Sequence, residues 1–169
     1  FPLVTSKNLK NEKIDYNKIK YIKKEDYLHI KKRSGVDQGD VLMAMIGTIG
    51  NPVIIKGNTD FAIKNVALFK INKKQSSDFL KFFLDSSLVE KKMKKEAKGT
   101  TQQFVSLGYL RNFPIGVTSF EEQKKIVSKI INLKKNFDEL SVNYKKLFDN
   151  YISFKNSLLQ KLFQNNRII

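Results

Sequence analysis

The pattern of apolar and polar positions changes character once along the chain, near "PIGVTSFEEQKK" (Pro114 to Lys125). Before it, apolar runs are short and broken by Gly, Pro, Asn and Asp. After it, one helical pattern runs without interruption. Its apolar residues are Ile126, Ile130, Leu133, Phe137, Leu140, Tyr144, Leu147, Tyr151, Phe154 and Leu158. They alternate four and three apart, which is a heptad seam rather than a broad amphipathic face. Ser119, followed by Glu121, Glu122 and Gln123, predicts an N-cap with acidic residues in the electropositive first turn. Aromatics at the a-type positions 137, 144 and 151 are bulky for a parallel zipper, so antiparallel pairing is expected. Val127, Phe148, Ile152, Leu159 and Phe163 widen the stripe at both ends, which points to packing on globular parts there. A helix from Glu121 to Phe163 would run about 65 Å. A first region of 118 residues, about 28 Å across, is too small to cover it. A partner helix is expected.

The first region reads as mixed α/β. "YIKKEDYLHIKK" (Tyr21 to Lys32) predicts a short helix. "DVLMAMI" is apolar on both parities, as in a strand buried on both faces. "NPVIIKG" and "FAIKNVALFKI" predict further strands of a hairpin or meander. "SSDFLKFFLDSSLVEKKMKKEAKG" predicts one helix, with Ser77 as N-cap, i,i+4 pairs Phe79–Phe83 and Leu80–Leu84, and Gly99 as C-cap. A turn or short helix is expected at "SLGYLRN". The fold class is therefore α+β: a mixed α/β domain over 1–118, then a long coiled-coil helix over 119–169.

Between two of the apolar runs lies Gly47-Thr48-Ile49-Gly50. As a phosphate cradle it fails, because no Gly-Lys-Ser/Thr follows and Asn51-Pro52 is a turn signal. As a Gly-x-x-G nucleic-acid clamp it fails too, since that clamp needs flanking helices and these flanks read as strands. What remains is a tight turn where backbone can approach something closely.

Charge adds direction. Lys and Arg number 32 against 16 acidic residues, a net +16, which points to a polyanionic partner: nucleic acid first, an anionic membrane surface second. Residues 1–118 carry 22 basic and 11 acidic side chains and residues 119–169 carry 10 and 5, so the first region holds most of the excess. Lys31, Lys32 and Arg33 form one cluster; Lys91, Lys92, Lys94, Lys95 and Lys98 form another. Phosphate contacts position a protein on DNA, whereas base edges are read by polar side chains, with Asn or Gln suited to adenine and Arg or Lys to guanine. Asn65, Gln102, Gln103 and Arg33 are the candidates for base reading. Thr48, Lys64, Thr100 and Thr101 join them on the polar loops, with Lys31 and Lys32 on phosphate. A solvated-surface or capping role competes at each position.

The chain has no Cys and one histidine, His29, which disfavours disulfides, thiolate metal sites and histidine-based catalysis. No apolar run approaches a membrane span, and "FPLVTSKNLK" lacks the order of a signal peptide. A cytoplasmic protein without membrane, metal or cofactor is expected. It also lacks an initiator Met, so a trimmed or partial product is expected.

Taken together, "LVTSKNLKNEKID", "YIKKEDY", "GDVLMAMIGTIG", "AIKNVALFKI", "KGTTQQFVSLGYLRNFPI", "SFEEQKKIVSKI" and "KNSLLQKLF" resemble, in order and spacing, the specificity subunit of type I restriction-modification systems. The resemblance covers almost the whole chain. It implies a target recognition domain with DNA-contacting loops, followed by a spacer helix that pairs antiparallel with a second one. It also implies double-stranded DNA, methyltransferase (modification) subunits and a restriction subunit as partners, with a homodimer or a second recognition unit joined through the helix. Only one unit is present, and the domain starts without the usual leading segment. A half-subunit, an excised repeat and an inactive remnant all remain open.

Catalysis is not expected. The companion methyltransferase's Asn/Asp-Pro-Pro-aromatic motif is absent, and "EAK" (Glu96 to Lys98) is a triplet that a Lys-rich chain produces by chance. Tyr16, Tyr21 and Tyr27 are expected to pack rather than react. The competing reading is a basic modulator that dimerises through its helix and binds proteins instead of specific DNA. An isolated nuclease is a third, weaker reading.

Overall fold

A computed structural model describes residues 1–99 and 103–165. The chain divides into two compact units, Phe1–Val127 and Ser128–Ile169. At the centre of the first unit is a three-stranded antiparallel sheet. Its middle strand, β5 (Val41–Ala44), pairs with β6 (Gly50–Ile54) on one side and β8 (Val66–Phe69) on the other. Successive side chains of a strand point to opposite faces. Val41, Met43 and Met45 accordingly enter one apolar cluster, while Leu42 and Ala44 enter another. The double burial expected from the unbroken apolar run is present, here in an antiparallel sheet enclosed by two layers.

Helices cover one face: α2 (Ser77–Leu84), α3 (Ser87–Glu96) and α4 (Leu107–Arg111) contribute Leu80, Leu84, Val89, Met93 and Leu110 to the first cluster. The other face is covered by a second sheet, in which β1 (Pro2–Thr5) lies between β4 (Lys20–Tyr21) and β7 (Ala62–Lys64). There β1 runs parallel to β7 and antiparallel to β4. A small hairpin, β2 (Leu9–Lys10) with β3 (Lys13–Ile14), turns through Asn11 and Glu12, both with positive φ, as a primed hairpin turn requires. A helix, α1 (Lys24–Ser34), completes the unit.

Five local expectations change. The run "FAIKNVALFKI" does not continue one meander: β7 and β8 belong to different sheets, and Asn65, at φ 59°, turns the chain from one into the other. The single helix expected from Ser77 is two helices. Ser86 ends the first by donating to the Phe83 carbonyl (2.7 Å) and caps the second by accepting from the Val89 N–H. The N-cap of α2 is Ser76, which accepts from the Phe79 N–H, whereas Ser77 donates to the Gly39 carbonyl. Helix α3 ends before Ala97, so Gly99 lies beyond it, and α1 starts three residues later than expected because Tyr21 is taken by β4.

The long helix, α5 (Phe120–Asn165), starts where the Ser119 hydroxyl accepts from the Glu122 N–H at 3.2 Å. Its first turns belong to the first unit. Gln123, 2 % exposed, accepts from the Ser76 N–H (2.9 Å) and donates to the Thr118 carbonyl (2.8 Å). From Ser128 the helix forms the second unit by itself. Ile130 is half-buried, but every side chain from 131 to 164 is exposed, including Leu133, Phe137, Leu140, Tyr144, Leu147, Tyr151, Phe154 and Leu158 of the seam. Among the described residues, no helix is long and apolar enough to cross a membrane.

Candidate nucleic-acid interface

Several connections end at one end of the central sheet. There β5 runs out through Met45 and Ile46 into Gly47, and β6 begins at Gly50, opposite Ala44. On the other side Ala44 faces Val66, so Asn65 enters the same end. Parallel pairing sets Thr5 opposite Lys64 and brings the exit of β1, a 3-10 turn at Ser6–Asn8, to the same place. Lys98 and the residues from Gln103 to Val105 are drawn in as well. Lys98 and Phe104 exchange two backbone hydrogen bonds, Phe104 bridges Ile46, and the Gly47 N–H donates to the Gln103 carbonyl at 2.8 Å.

The backbone here is held in unusual conformations. Gly47 has φ 79° and Asn51 φ 50°, joining Asn65 in the left-handed region. Side chains with a Cβ rarely adopt it, and such residues gather where function over-determines the backbone. The glycine loop is thus a turn whose glycines take the left-handed region without strain and whose backbone is bonded to Gln103, with Asn51 left-handed just after it. Thr48, Lys64, Asn65, Lys98 and Gln103 are all exposed, and no side-chain hydrogen bond or ion pair engages them among the described residues.

The opposite end of the sheet is chemically different. Six residue steps along β5, about 20 Å away, Asp40 is 2 % exposed. Its carboxylate accepts from Lys70 Nζ (2.6 Å), the Asp37 N–H (2.8 Å) and the Ile71 N–H (3.3 Å). Lys70 also pairs with Asp37. That hydrogen bond holds the Asp37 carboxyl below its usual range. Burial works against the Lys70 charge, but the hydrogen bonds to Asp37 and Asp40 outweigh it and raise its pKa. Helix α1 ends here too, because Lys70 Nζ also reaches the Gly35 carbonyl.

A model of the family "Type I restriction modification DNA specificity domain" matches residues 3–147. The chain belongs to this family. It is 24% identical over 160 residues to the type I restriction enzyme EcoBI specificity subunit of Escherichia coli, a match covering 93% of this chain and 33% of that protein. The chain spans about a third of the length of that curated relative.

Within this specificity domain, the structure brings Thr48, Lys64, Asn65 and Gln103 to one end. Lys31, Lys32 and Arg33 lie at the end of α1, beside the opposite end. Lys31 has a neighbour of its own: Nζ donates to Tyr27 Oη (2.9 Å) and lies 5.3 Å from the Tyr27 ring centroid, and that hydrogen bond raises its pKa. Tyr27 is buried and stacks on Phe1, a packing role as expected. Thr100, Thr101 and Gln102 lie outside the described residues. On α3, Lys91, Lys92 and Lys95 are exposed and unpaired among the described residues, while Lys94 pairs with Glu90. Sequence reasoning missed Ser6, Lys7 and Asn51 at the sheet end. Asn51-Pro52 was legible only as a turn, and nothing local marks Ser6 and Lys7, whose placement comes from a parallel pairing some sixty residues apart in the chain.

Proposed function

We propose that this domain reads DNA sequence as the specificity component of a type I restriction-modification enzyme. It would direct methyltransferase and restriction subunits without catalysing a step itself. The observation that carries the reading, beside family membership, is the gathering of Thr48, Lys64, Asn65 and Gln103 at one sheet end with no side-chain partner among the described residues. Cations flank them. Lys64 belongs to that end, Lys98 is bonded into it through Phe104, and Lys91, Lys92 and Lys95 follow on α3. Phosphate contacts from these lysines would fix the register, and the polar side chains would meet base edges. Thr100, Thr101 and Gln102 belong to the same candidate set by sequence.

We place the functional boundary at 118/119, with 1–118 as recognition domain and 119–169 as spacer helix. The seam from Leu133 to Leu158 would be covered by a second α5 running antiparallel, because so large a row of exposed apolar side chains marks an interaction surface. Two identical chains related by a two-fold axis would read two inverted half-sites separated by an unread spacer.

Titration of DNA binding against salt by the full chain tests this reading. With about six phosphate contacts the log–log slope is expected near −5, without magnesium-dependent cleavage. A slope near zero, with self-association intact, would instead support the modulator that dimerises and binds proteins, a reading the exposed seam favours on its own. Replacing Leu140 and Leu147 together by Asp is expected to give a monomer whose recognition domain still folds; an unchanged mass in light scattering would refute the seam.

A further inference from the structure

Asn65 is the one residue between β7 and β8, and the chain leaves one sheet for the other at this position. Its φ of 59° is a conformation that asparagine tolerates and most residues do not. Ser6 Oγ donates to the Asn65 carbonyl at 2.6 Å across 59 residues of sequence. Ser6 is itself held, since it opens the 3-10 turn that Asn8 closes. Asn8 Oδ1 accepts from the Thr5 N–H (3.0 Å) and the Thr5 hydroxyl (2.8 Å), and Asn8 Nδ2 donates to the Asp15 carbonyl (3.0 Å).

The Asn65 side chain contrasts with those of four other asparagines near element ends. Asn51 and Asn112 donate to the carbonyls of Leu9 and Gly108, while Asn58 and Asn72 accept from the N–H groups of Asp60 and Lys74. Each spends its amide on backbone, near in sequence for three of them and across 42 residues for Asn51. The Asn65 amide is exposed and has no such partner among the described residues, although its backbone is clamped. A fixed backbone carrying a free donor and acceptor is partly pre-organised for recognition, because the backbone's share of the ordering cost is met before any ligand arrives.

We propose that Asn65 reads an adenine in the major groove and that Ser6 is its positioning residue. This rests on the DNA-reading function above and deepens it by naming a base class and a new residue. The amide of asparagine supplies one donor and one acceptor in the spacing that adenine N7 and N6 present. Ser6 does not touch the base; it fixes the direction from which the amide arrives.

The test is selection by the full chain from a pool of randomised duplexes, with melting curves for each variant. Wild type is expected to recover a motif with an adenine position preferred about tenfold. Asn65→Gly keeps the left-handed backbone without strain, so it is expected to fold and to lose preference at that position alone. Asn65→Asp, an acceptor without a donor, is expected to shift that position toward cytosine, whose N4 donates. Ser6→Ala is expected to weaken the same position, and Ser6→Thr, which keeps the hydroxyl, to restore it. If Asn65→Gly keeps the wild-type motif throughout, the proposal is overturned while DNA reading stands. If Ser6→Ala matches wild type while Asn65→Gly does not, the positioning role is overturned. If wild type recovers no motif, the DNA-reading function itself fails.

Discussion

At the Asp40 end of the central sheet, charges are paired within the protein; at the Gly47 end, Thr48, Lys64, Asn65 and Gln103 have no side-chain partners among the described residues. The same three strands thus run from a region of internal pairing to the one we propose for contact with DNA. Asp40 is nearly inaccessible and meets three donors, which compensates the cost of burying it. Thr48, Lys64, Asn65 and Gln103 are exposed, on a backbone with three left-handed residues close together. Strain and unspent hydrogen-bonding groups at one end are tolerable because the other end and the two apolar clusters hold the fold. On the proposed reading, stability and recognition are separated along the strand direction.

Asp40→Ala is the largest perturbation of that division. Removing a buried carboxylate leaves Lys70 without its inner partner and two backbone N–H groups without an acceptor. A loss of about 3 kcal/mol is expected, the scale for breaking one side of a buried pair. Urea unfolding of the recognition unit measures it, and the DNA motif of the remaining folded protein is expected to be unchanged. A loss under about 0.5 kcal/mol, the range of ordinary surface substitutions, would mean that this end is not the stabilising one.

The next prediction asks whether DNA meets only the Gly47 end. Lys91→Ala, Lys95→Ala and Lys98→Ala combined should flatten the salt slope by about 2.7, or roughly 0.9 for each phosphate that is no longer neutralised. Lys32→Ala with Arg33→Ala, at the other end, should alter it by less than a single phosphate's share. Equal effects from both sets would show that the duplex reaches along the sheet and would erase the functional contrast between its ends.

How much of this was legible beforehand depends on the range of the interaction that decides each feature. The helix α5 and its seam follow from spacing within a few turns, and Ser119 announced its start. The double burial of β5 was visible because Val41, Leu42, Met43 and Ala44 leave no polar face. The family resemblance, carried by the order of several short segments, agreed with the family match. What failed was decided at junctions. Ser86 interrupts a run whose periodicity is helical on both sides, and Asn65 moves the chain between sheets within a run that reads as one strand. The candidate site was legible as residue types but not as a place. Thr48, Lys64, Asn65 and Gln103 meet through pairings of β1 with β7 and of Phe104 with Ile46, which join segments distant in sequence. The basic cluster at Lys31 to Arg33 looked equivalent to that on α3 because charge alone carries no address.

The smallest expected effect concerns pH, and it too separates the two ends. Lys70 holds the Asp37 carboxyl below its ordinary range, so the folded protein binds this proton less readily than the unfolded chain does. Such a group stabilises the fold fully above its unfolded value, and the contribution is lost as the pH falls through the lowered folded value. Lys70 has the opposite sign. Its raised pKa gives stabilisation that is complete below the unfolded lysine value and disappears as the pH rises through the folded one. The paired end therefore favours the folded state across the middle of the pH range and weakens at both extremes. Asp37 is exposed, so water screens the pair and the acid limb is small. Asp37→Asn should shrink that limb in a plot of urea midpoint against pH, leaving the share of Asp15 and Glu90, whose carboxyls hydrogen bonds also hold low, and leave the alkaline limb, to which Asp40 still contributes. DNA affinity at fixed ionic strength is expected to show neither limb between pH 5 and pH 8, about the range in which these groups keep their charges. An acid limb of unchanged size in Asp37→Asn would mean that the other lowered carboxylates set the pH response and that the Asp37–Lys70 pair is an ordinary surface contact.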